Sequence, residues 1–321
     1  MKSFIRLAGH MALSCLLCTM AIAQTYPTKP VNLIVPYPAG GGADIVARML
    51  AEAMKPSLGQ PITVINRPGG QGTIGTAEVT QATPDGYNLV LSAVGTLTIQ
   101  PHRQDLPYKT PDDYDPIIKV ANLPMMLAVL STSPWKSAKD ALEYVRSHPG
   151  KFRVGTPGNG SVGHLIVASI NAKAGLKLAH VPYASGAESI PSMLGGHIEA
   201  VVAHPSEIQP HVKAGTVRVL TTFEEKRNPT YPDIPTFKEL GYDIVMGVYY
   251  PLVAPMKTPA DIKAKLFKVA KEAIESPAFS NRAKETGYVL EIKDPETFRK
   301  ELWKDFRNND VLVKELGMEK K

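Results

Sequence analysis

Val31-Asn-Leu-Ile-Val-Pro-Tyr-Pro-Ala-Gly-Gly-Gly-Ala-Asp-Ile-Val-Ala-Arg-Met-Leu50 is the stretch on which the reading of this chain turns. Its first five residues are apolar and rich in β-branched side chains, the composition of a short buried strand. Pro36 and Pro38 stop the strand, Gly40, Gly41 and Gly42 form a hinge, and a helix is expected from about Ala43. Ile45, Val46, Met49, Leu50 and Ala53 fall on one face of that helix. A glycine run between strand and helix lets bare backbone approach a ligand. The unpaired N–H groups of the helix's first turn gather partial positive charge there. The natural guest is an anion.

Outward from this stretch the alternation continues. Residues 60–65 read as a second strand, running into Asn66-Arg-Pro-Gly-Gly-Gln-Gly72 and a helix over 74–81. Pro84-Asp-Gly86 is a turn before a strand at 87–92. Strand–helix–strand–helix–strand predicts a parallel sheet with helices on its faces, and such sheets bind ligands beyond the carboxyl ends of their strands. A polar, proline-rich connector follows at 101–116, then strands at 117–120 and 125–130. Ser137 with Asp140 caps a helix reaching about 148. A strand at 152–155 leads into Thr156-Pro-Gly-Asn-Gly-Ser161 and a helix to 173. A strand at 177–181 leads into Pro182-Tyr-Ala-Ser-Gly-Ala187 and a helix to 194. A strand at 198–203, a helix over 208–214 and a strand at 218–222 complete a second α/β set in the style of the first, without an exact internal repeat. After a connector at 227–235 come a short helix (236–240), a strand-like 244–254 and three helices starting near Pro259, Pro277 and Pro295. Two α/β halves joined twice predict two lobes with a cleft between them.

The 321 residues are 44% hydrophobic and 21% charged, ordinary for a soluble globular protein of about two domains. Lys2 and Arg6, an apolar run over 11–20 and Ala21-Ile-Ala23 read as a secretory signal cleaved after Ala23, so the mature chain is expected in an exported compartment. Cys15 and Cys18 both fall inside this leader, too early for a lipoprotein cysteine. No lipid anchor, disulfide, thiol catalysis or cysteine-based metal site is therefore expected. Without Lys2 and Arg6 the balance is 34 basic against 30 acidic residues, a mild bias that helps collect acidic solutes. No basic cluster interleaved with aromatics points to nucleic acid.

The glycine loop lacks the Gly-Lys-Ser/Thr ending of a nucleotide-binding P-loop. Gly158-Asn-Gly160-Ser-Val-Gly163 fits G-x-G-x-x-G, but the acidic residue needed about 20 positions on is missing, because Val181-Pro-Tyr183 stands there. A generic anion-binding loop is the better reading. Nor is it a nucleophile elbow, since Asn159 occupies the place of the first glycine. Ser161 reads equally as a helix cap and as a hydroxyl donor to ligand. His164, in that helix's first turn, reads first as structural; His204, just past a strand end, is balanced between structure and ligand. Asp44 is either a dipole partner or a loop-fixing or ligand-accepting carboxylate. Tyr37 and Tyr183 follow strands, where aromatics pack or wall a pocket. No His pair or His–carboxylate spacing suggests a metal, no cofactor motif stands, and no nucleophile–base pair is visible. That pattern favours binding over catalysis.

Taken in order, several segments resemble the substrate-binding proteins of tripartite tricarboxylate transporters, the Bug/TctC family of the proteobacterial periplasm. They are Tyr26-Pro-Thr-Lys-Pro30, Val35-Pro-Tyr-Pro-Ala-Gly-Gly-Gly-Ala-Asp44, Asn66-Arg-Pro-Gly-Gly70 and Ala82-Thr-Pro-Asp-Gly-Tyr87. Residues 155–165, Val181-Pro-Tyr-Ala-Ser-Gly-Ala187, Leu194-Gly-Gly196, and Pro232-Asp-Ile-Pro-Thr236 with Glu239-Leu-Gly-Tyr242 complete the set. The resemblance implies a two-lobed Venus-flytrap, or periplasmic-binding-protein, fold of α/β class, each lobe a mostly parallel sheet flanked by helices. It places lobe one at 24–122 and 250–321 and lobe two at 123–249. It implies a monomer in the periplasm that captures a small carboxylate, whether mono-, di-, tricarboxylate or aromatic. Delivery would be to a permease of one large and one small membrane subunit. In relatives, the loops matching Tyr37, Ala39, Gly40, Gly41, Gly42 and Asp44, and Thr156, Gly158, Asn159, Ser161 and His164, hold the ligand carboxylate. Ser92 to Thr96 and Tyr183, Ala184, Ser185 and Gly186 line the remainder.

Two departures matter. Relatives often carry an acidic residue near His204, so His204 argues against an amino-acid ligand and for a second ligand carboxylate. Relatives also often carry a Lys after Tyr183, where this chain has Ala184-Ser185. An exported carboxylate sensor on the same fold is the alternative, and a hydrolase a more distant one.

Overall fold

The computed structural model describes residues 26–320; the leader at 1–23 and its cleavage point lie outside the described residues. In chain order come β1 (Val31–Val35), α1 (Gly42–Leu58), β2 (Ile62–Asn66), α2 (Thr73–Thr80), β3 (Asn88–Leu91), α3 (Val94–Thr98), α4 (Gln100–Arg103) and β4 (Tyr114–Pro124). Next are β5 (Met126–Leu130), α5 (Ala138–Ser147), β6 (Arg153–Thr156), α6 (Val162–Ala174), β7 (Ala179–Pro182), α7 (Gly186–Leu194), β8 (Ala200–Ala203), α8 (Pro205–Lys213) and β9 (Val217–Thr222). The chain closes with β10 (Gly247–Pro255), α9 (Ala260–Glu275), α10 (Pro277–Glu285) and α11 (Pro295–Glu315).

The strands form two five-stranded sheets, ordered β2-β1-β3-β10-β4 and β7-β6-β8-β5-β9. Strand β1 runs parallel to β2 and β3, while β10 runs antiparallel to β3 and β4. In the second sheet β6 runs parallel to β7 and β8, and β5 antiparallel to β8 and β9. The two sheets thus share one strand order and one set of directions, an internal symmetry that the sequences do not repeat. Its cause is the double crossing of the chain. Strand β4 ends at Pro124 and β5 starts at Met126, so the chain enters the second sheet at the edge where the first sheet's strands end. A strand that begins at this edge must run away from it. The same holds for β10 on the return, which accounts for one antiparallel strand in each otherwise parallel set.

Helix α1 forms where expected, but its buried stripe is Val46, Ala47, Leu50, Met54 and Leu58; of the expected face Val46 and Leu50 are buried, while Ile45, Met49 and Ala53 are only partly covered. It ends at Gly59, whose left-handed φ of 77° returns an N–H to the Lys55 carbonyl. Leu50 is fully buried, which stabilises the fold by about 1.5–3 kcal/mol. The C-terminal helices pack back on the first sheet, α9 against α1 and β4, and α11 against β4, α3 and α4. Lys119 on β4 is buried and anchors α11 by donating to Glu291 (2.7 Å) and Glu301 (2.8 Å). Burial alone would raise the Glu291 carboxyl, but Lys119, Asn122 and Lys293 outweigh it and hold it at about 2.

Three expectations are corrected. Strand β4 is eleven residues long and takes up part of the expected 101–116 connector, because β10 pairs along nearly all of it. Ahead of it, buried Val94, Leu97 and Ile99 draw the chain into α3 and α4 where no helix was expected. Residues 236–240 make one capped turn instead of a helix: Thr236 and Glu239 exchange side chain–backbone hydrogen bonds, and Phe237 N–H is drawn to the Thr222 carbonyl. A single turn cannot repay helix nucleation.

Candidate ligand-binding cleft

One cavity lies where the two sheets face each other, and its walls come from strand ends. Tyr37, Gly41, Gly42 and Ala43 follow β1, Gln71 follows β2, and Ala93, Gly95, Thr96 and Gln100 follow β3. From the second sheet come Pro157 and residues 160–163 after β6, residues 184–186 after β7, and His204 and Glu207 after β8. Met125 and, from β10, Val248 and Tyr250 form the floor at the crossings. The cavity measures about 60 Å³, which at roughly 10–15 Å³ per water is room for about five waters. That suits a short solute. A nucleotide would need far more space.

Three loops of the first lobe are tied together by Tyr37. Its buried hydroxyl accepts from Ala93 N–H (3.1 Å) and pairs with Thr96 Oγ1 (2.5 Å), which donates to the Gln71 carbonyl (2.8 Å). Burial pushes the Tyr37 phenol above its usual pKa, so it stays neutral. Gly72 (φ 87°) is required here, since a Cβ would lie 2.7 Å from the Tyr37 hydroxyl oxygen.

On the other side, α6 and α7 start with serines that cap them. Ser161 Oγ accepts from His164 N–H (3.1 Å) and Ser185 Oγ from Glu188 N–H (3.2 Å). Both serines also line the cavity, so capping and facing the ligand are not exclusive roles. At the start of α6, Val162 and Gly163 face the cavity. First-turn N–H groups have no intrahelical acceptor and are available to an anion. Behind this loop, Gly160 is pressed against Arg103: a Cβ there would lie 1.9 Å from Nη1.

Helix α1 is different. Its N-cap is Gly41, which offers no side chain. Instead Gly42 N–H donates across the cleft to Glu207 Oε1 (3.3 Å), a residue of α8. Glu207 Oε2 accepts from His204 N–H (3.1 Å), completing a local capping arrangement. His204 is buried and its Nδ1 has no partner. Burial lowers the His204 pKa despite the nearby Glu207 carboxylate, so the ring is neutral at pH 7.

Of the residues singled out from sequence, Tyr37, Gly41, Gly42, Thr96, Ser161, Ala184, Ser185, Gly186 and His204 line this cavity. The rest stand behind it. Asp44 is held by Arg48 (2.9 Å to each oxygen), Asn66 (3.0 Å) and Gly40 N–H (3.0 Å). Burial alone would raise its carboxyl, but these donors hold it below the usual range. It fixes the glycine loop. Ala39 and Gly40 lie on that loop's outer side, and Ser92 is buried against Thr76 (3.0 Å). Thr156 Oγ1 pairs with His180 Nε2 (2.6 Å) and accepts from Gly158 N–H (3.2 Å). The Asn159 carbonyl accepts from Gln100 Nε2 (3.1 Å), and Tyr183 donates to Ser192 Oγ (2.6 Å). His164 Nδ1 accepts from Gly160 N–H (3.0 Å), and its ring stacks on His180 at 3.9 Å.

Gln71, Gln100, Tyr250 and Glu207 are lining residues that the sequence reading missed. For Glu207 a signal was present: Pro205 suits a first helical position and puts Glu207 at the third, whereas the helix was expected only from 208. Among the described residues no cluster of three or more His, Cys, Asp or Glu is placed to hold a metal. Among them, too, no helix is long and apolar enough to cross a membrane.

Comparison with known proteins agrees with this architecture. Residues 46–318 match the family model described as tripartite tricarboxylate transporter family receptor. A Cupriavidus necator protein described as a UPF0065 protein in the gbd 5′ region is 35% identical over 87% of this chain and 86% of its own. The protein BugT of Bordetella pertussis is 30% identical over 92% and 91%. Among solved structures, the periplasmic binding protein BugD aligns with a TM-score of 0.86 at 32% identity, covering 92% of this chain and 100% of that one. MatC from Rhodopseudomonas palustris, solved with bound malate, aligns at 0.84 and 26% identity, over 90% and 100%. A further R. palustris protein, solved with adipate, aligns at 0.87 and 25%, over 92% and 100%. On the family match and these identities, the chain belongs to the tripartite tricarboxylate transporter receptor family.

Proposed function

We propose that this protein is an exported receptor that captures a small carboxylate between its lobes and hands it to a membrane permease of one large and one small subunit. The observation that carries the reading is the meeting of helix starts from both sheets, α1 and α6, on one small cavity whose lining holds no Lys or Arg. Main-chain N–H groups then serve as the anion site, each hydrogen bond to a carboxylate worth about 1.5–3 kcal/mol. A ligand touching both walls favours closure, because only the closed form brings the two walls together around it. Val162, Gly163 and Ser161 on one side supply the donors assigned to the ligand carboxylate, and Ala43 and Thr96 on the other close over it. The malate and adipate bound by the two R. palustris neighbours support a carboxylate as the class. Nothing in the lining pairs a nucleophile with a base, and binding without turnover is the corresponding assignment.

Calorimetry and thermal shift on residues 24–321 test this with mono-, di- and tricarboxylates, sugars and nucleotides. A carboxylate is expected to raise the melting temperature in proportion to the logarithm of its concentration. Stabilisation by a sugar or nucleotide, with no response to any carboxylate, rules the reading out.

A further inference from the structure

Helix α1 lacks a side-chain cap of its own, and the chain supplies one from the opposite lobe. Glu207 Oε1 accepts from Gly42 N–H at 3.3 Å, from a position 165 residues later in the sequence. The same carboxylate accepts from His204 N–H at 3.1 Å, at the start of α8. It also lies against the start of α7, where a Cβ on Gly186 would be 2.2 Å from Oε2 and would push the carboxylate aside. Three helix starts thus meet on one carboxylate, and that carboxylate belongs to the protein. Glu207 is the one acidic side chain in the lining, which holds no Lys or Arg, and burial keeps the neighbouring His204 from offsetting it with a charge of its own.

The first lobe's anion position is therefore taken. A ligand carboxylate finds its free donors at the start of α6, beside Val162 and Gly163. A second carboxylate at the ligand's other end would lie on the Glu207 side of the cavity, away from the α6 donors, and meet a like charge there. An uncharged end meets Met125, Val248 and the Tyr250 ring without that repulsion. We propose that Glu207 is the specificity-determining residue of this cleft, a built-in carboxylate that restricts the ligand to a short monocarboxylate held at α6. This rests on the carboxylate-receptor reading above. It reverses the preference for a second ligand carboxylate attached to His204 alone, and it sets this protein apart from its malate- and adipate-bound neighbours.

Matched acids of equal chain length test it by calorimetry: butyrate against succinate, and hexanoate against adipate. The wild-type protein is expected to favour the monoacid of a pair by about tenfold or more. Glu207→Gln keeps the shape and an acceptor for Gly42 N–H but removes the charge. It is expected to narrow that ratio to within about threefold, through gained diacid affinity. Glu207→Ala should narrow it likewise, and circular dichroism and melting confirm that each variant is folded. Equal or tighter diacid binding by the wild-type protein overturns the proposal without reference to any variant. So does a folded Glu207→Gln that weakens both acids alike. If the wild-type protein binds no carboxylate at all, the receptor reading itself fails.

Discussion

The two lobes share strand order and direction, yet they open their helices to the cleft in different ways. In the second lobe α6 and α7 carry their own caps, Ser161 and Ser185, and their first turns are shaped before any ligand arrives. In the first lobe α1 begins on bare glycine and borrows its cap from Glu207 across the gap. One lobe is locally self-sufficient, and the other is completed only when the lobes meet. The second lobe is thus the preorganised half of the site, and the first is the half whose contacts report closure.

The largest difference is expected at the glycines. Gly160 has φ 71° and sits against Arg103 and Gln100, whereas Gly40 has φ 81° and open space where its Cβ would lie. Gly160→Val should add the left-handed strain of about 1–2 kcal/mol to a clash that moves the Arg103 guanidinium and the loop with it. Ligand affinity should fall by at least about 100-fold, the scale of losing two charge-assisted hydrogen bonds. Gly40→Val should show the strain alone. Calorimetry and melting on the two variants decide; equal losses would mean that the α6 loop is not the preorganised half.

Next come the tyrosines. Tyr37→Phe leaves the half-buried Ala93 N–H without its acceptor and Thr96 without its partner, a loss of about 1–2 kcal/mol in urea titration. Tyr183→Phe removes a bond to Ser192 at a half-buried position and should cost less than about 1 kcal/mol. Smaller again is the loss of a cap: Ser161→Ala and Ser185→Ala are each expected to cost about 1 kcal/mol. Losing Ser161 should also weaken ligand binding more than losing Ser185. A ranking with Ser185 first would move the ligand to the Glu207 side of the cavity.

The part of the fold visible in the sequence is the part governed by local chemistry. Pro36, Pro38 and the glycine run mark the β1–α1 junction by themselves, and Ser137 with Asp140 forms the capping box that the pair suggests. Asp44 was left open between fixing the loop and meeting the ligand, and its carboxylate is taken by Arg48 one helical turn away. Strand direction was not legible. Met126–Leu130 is an apolar run whatever way it points, and only the crossing at Pro124 makes β5 antiparallel. Glu207 stayed hidden for a similar reason: its place at the third helical position can be read, but its partner Gly42 is set by the closing of two lobes.

The lobes also separate by pH. His164 and His180, stacked in the second lobe, both have pKa values lowered to about 4. Burial is the main cause; the Arg103 charge adds to it in both, as does His180 for His164. In the unfolded chain a histidine binds its proton near 6.5. The unfolded state therefore takes up protons first, so the stability these rings contribute is full above about pH 7. It is lost as pH falls from about 6.5 to about 4. Glu291 in the first lobe is held at about 2, so its contribution persists to lower pH and is lost from about 4.5 down to about 2. Protonating His164 also removes the lone pair on Nδ1 that accepts the Gly160 N–H, which ties the first window to the ligand loop. His180→Phe keeps a ring in the stack while removing one titrating group. The melting temperature of that variant should fall less than wild type between pH 7 and 4, and in parallel with it below pH 4. Identical curves throughout would mean that the histidine stack does not set the second lobe's acid limit.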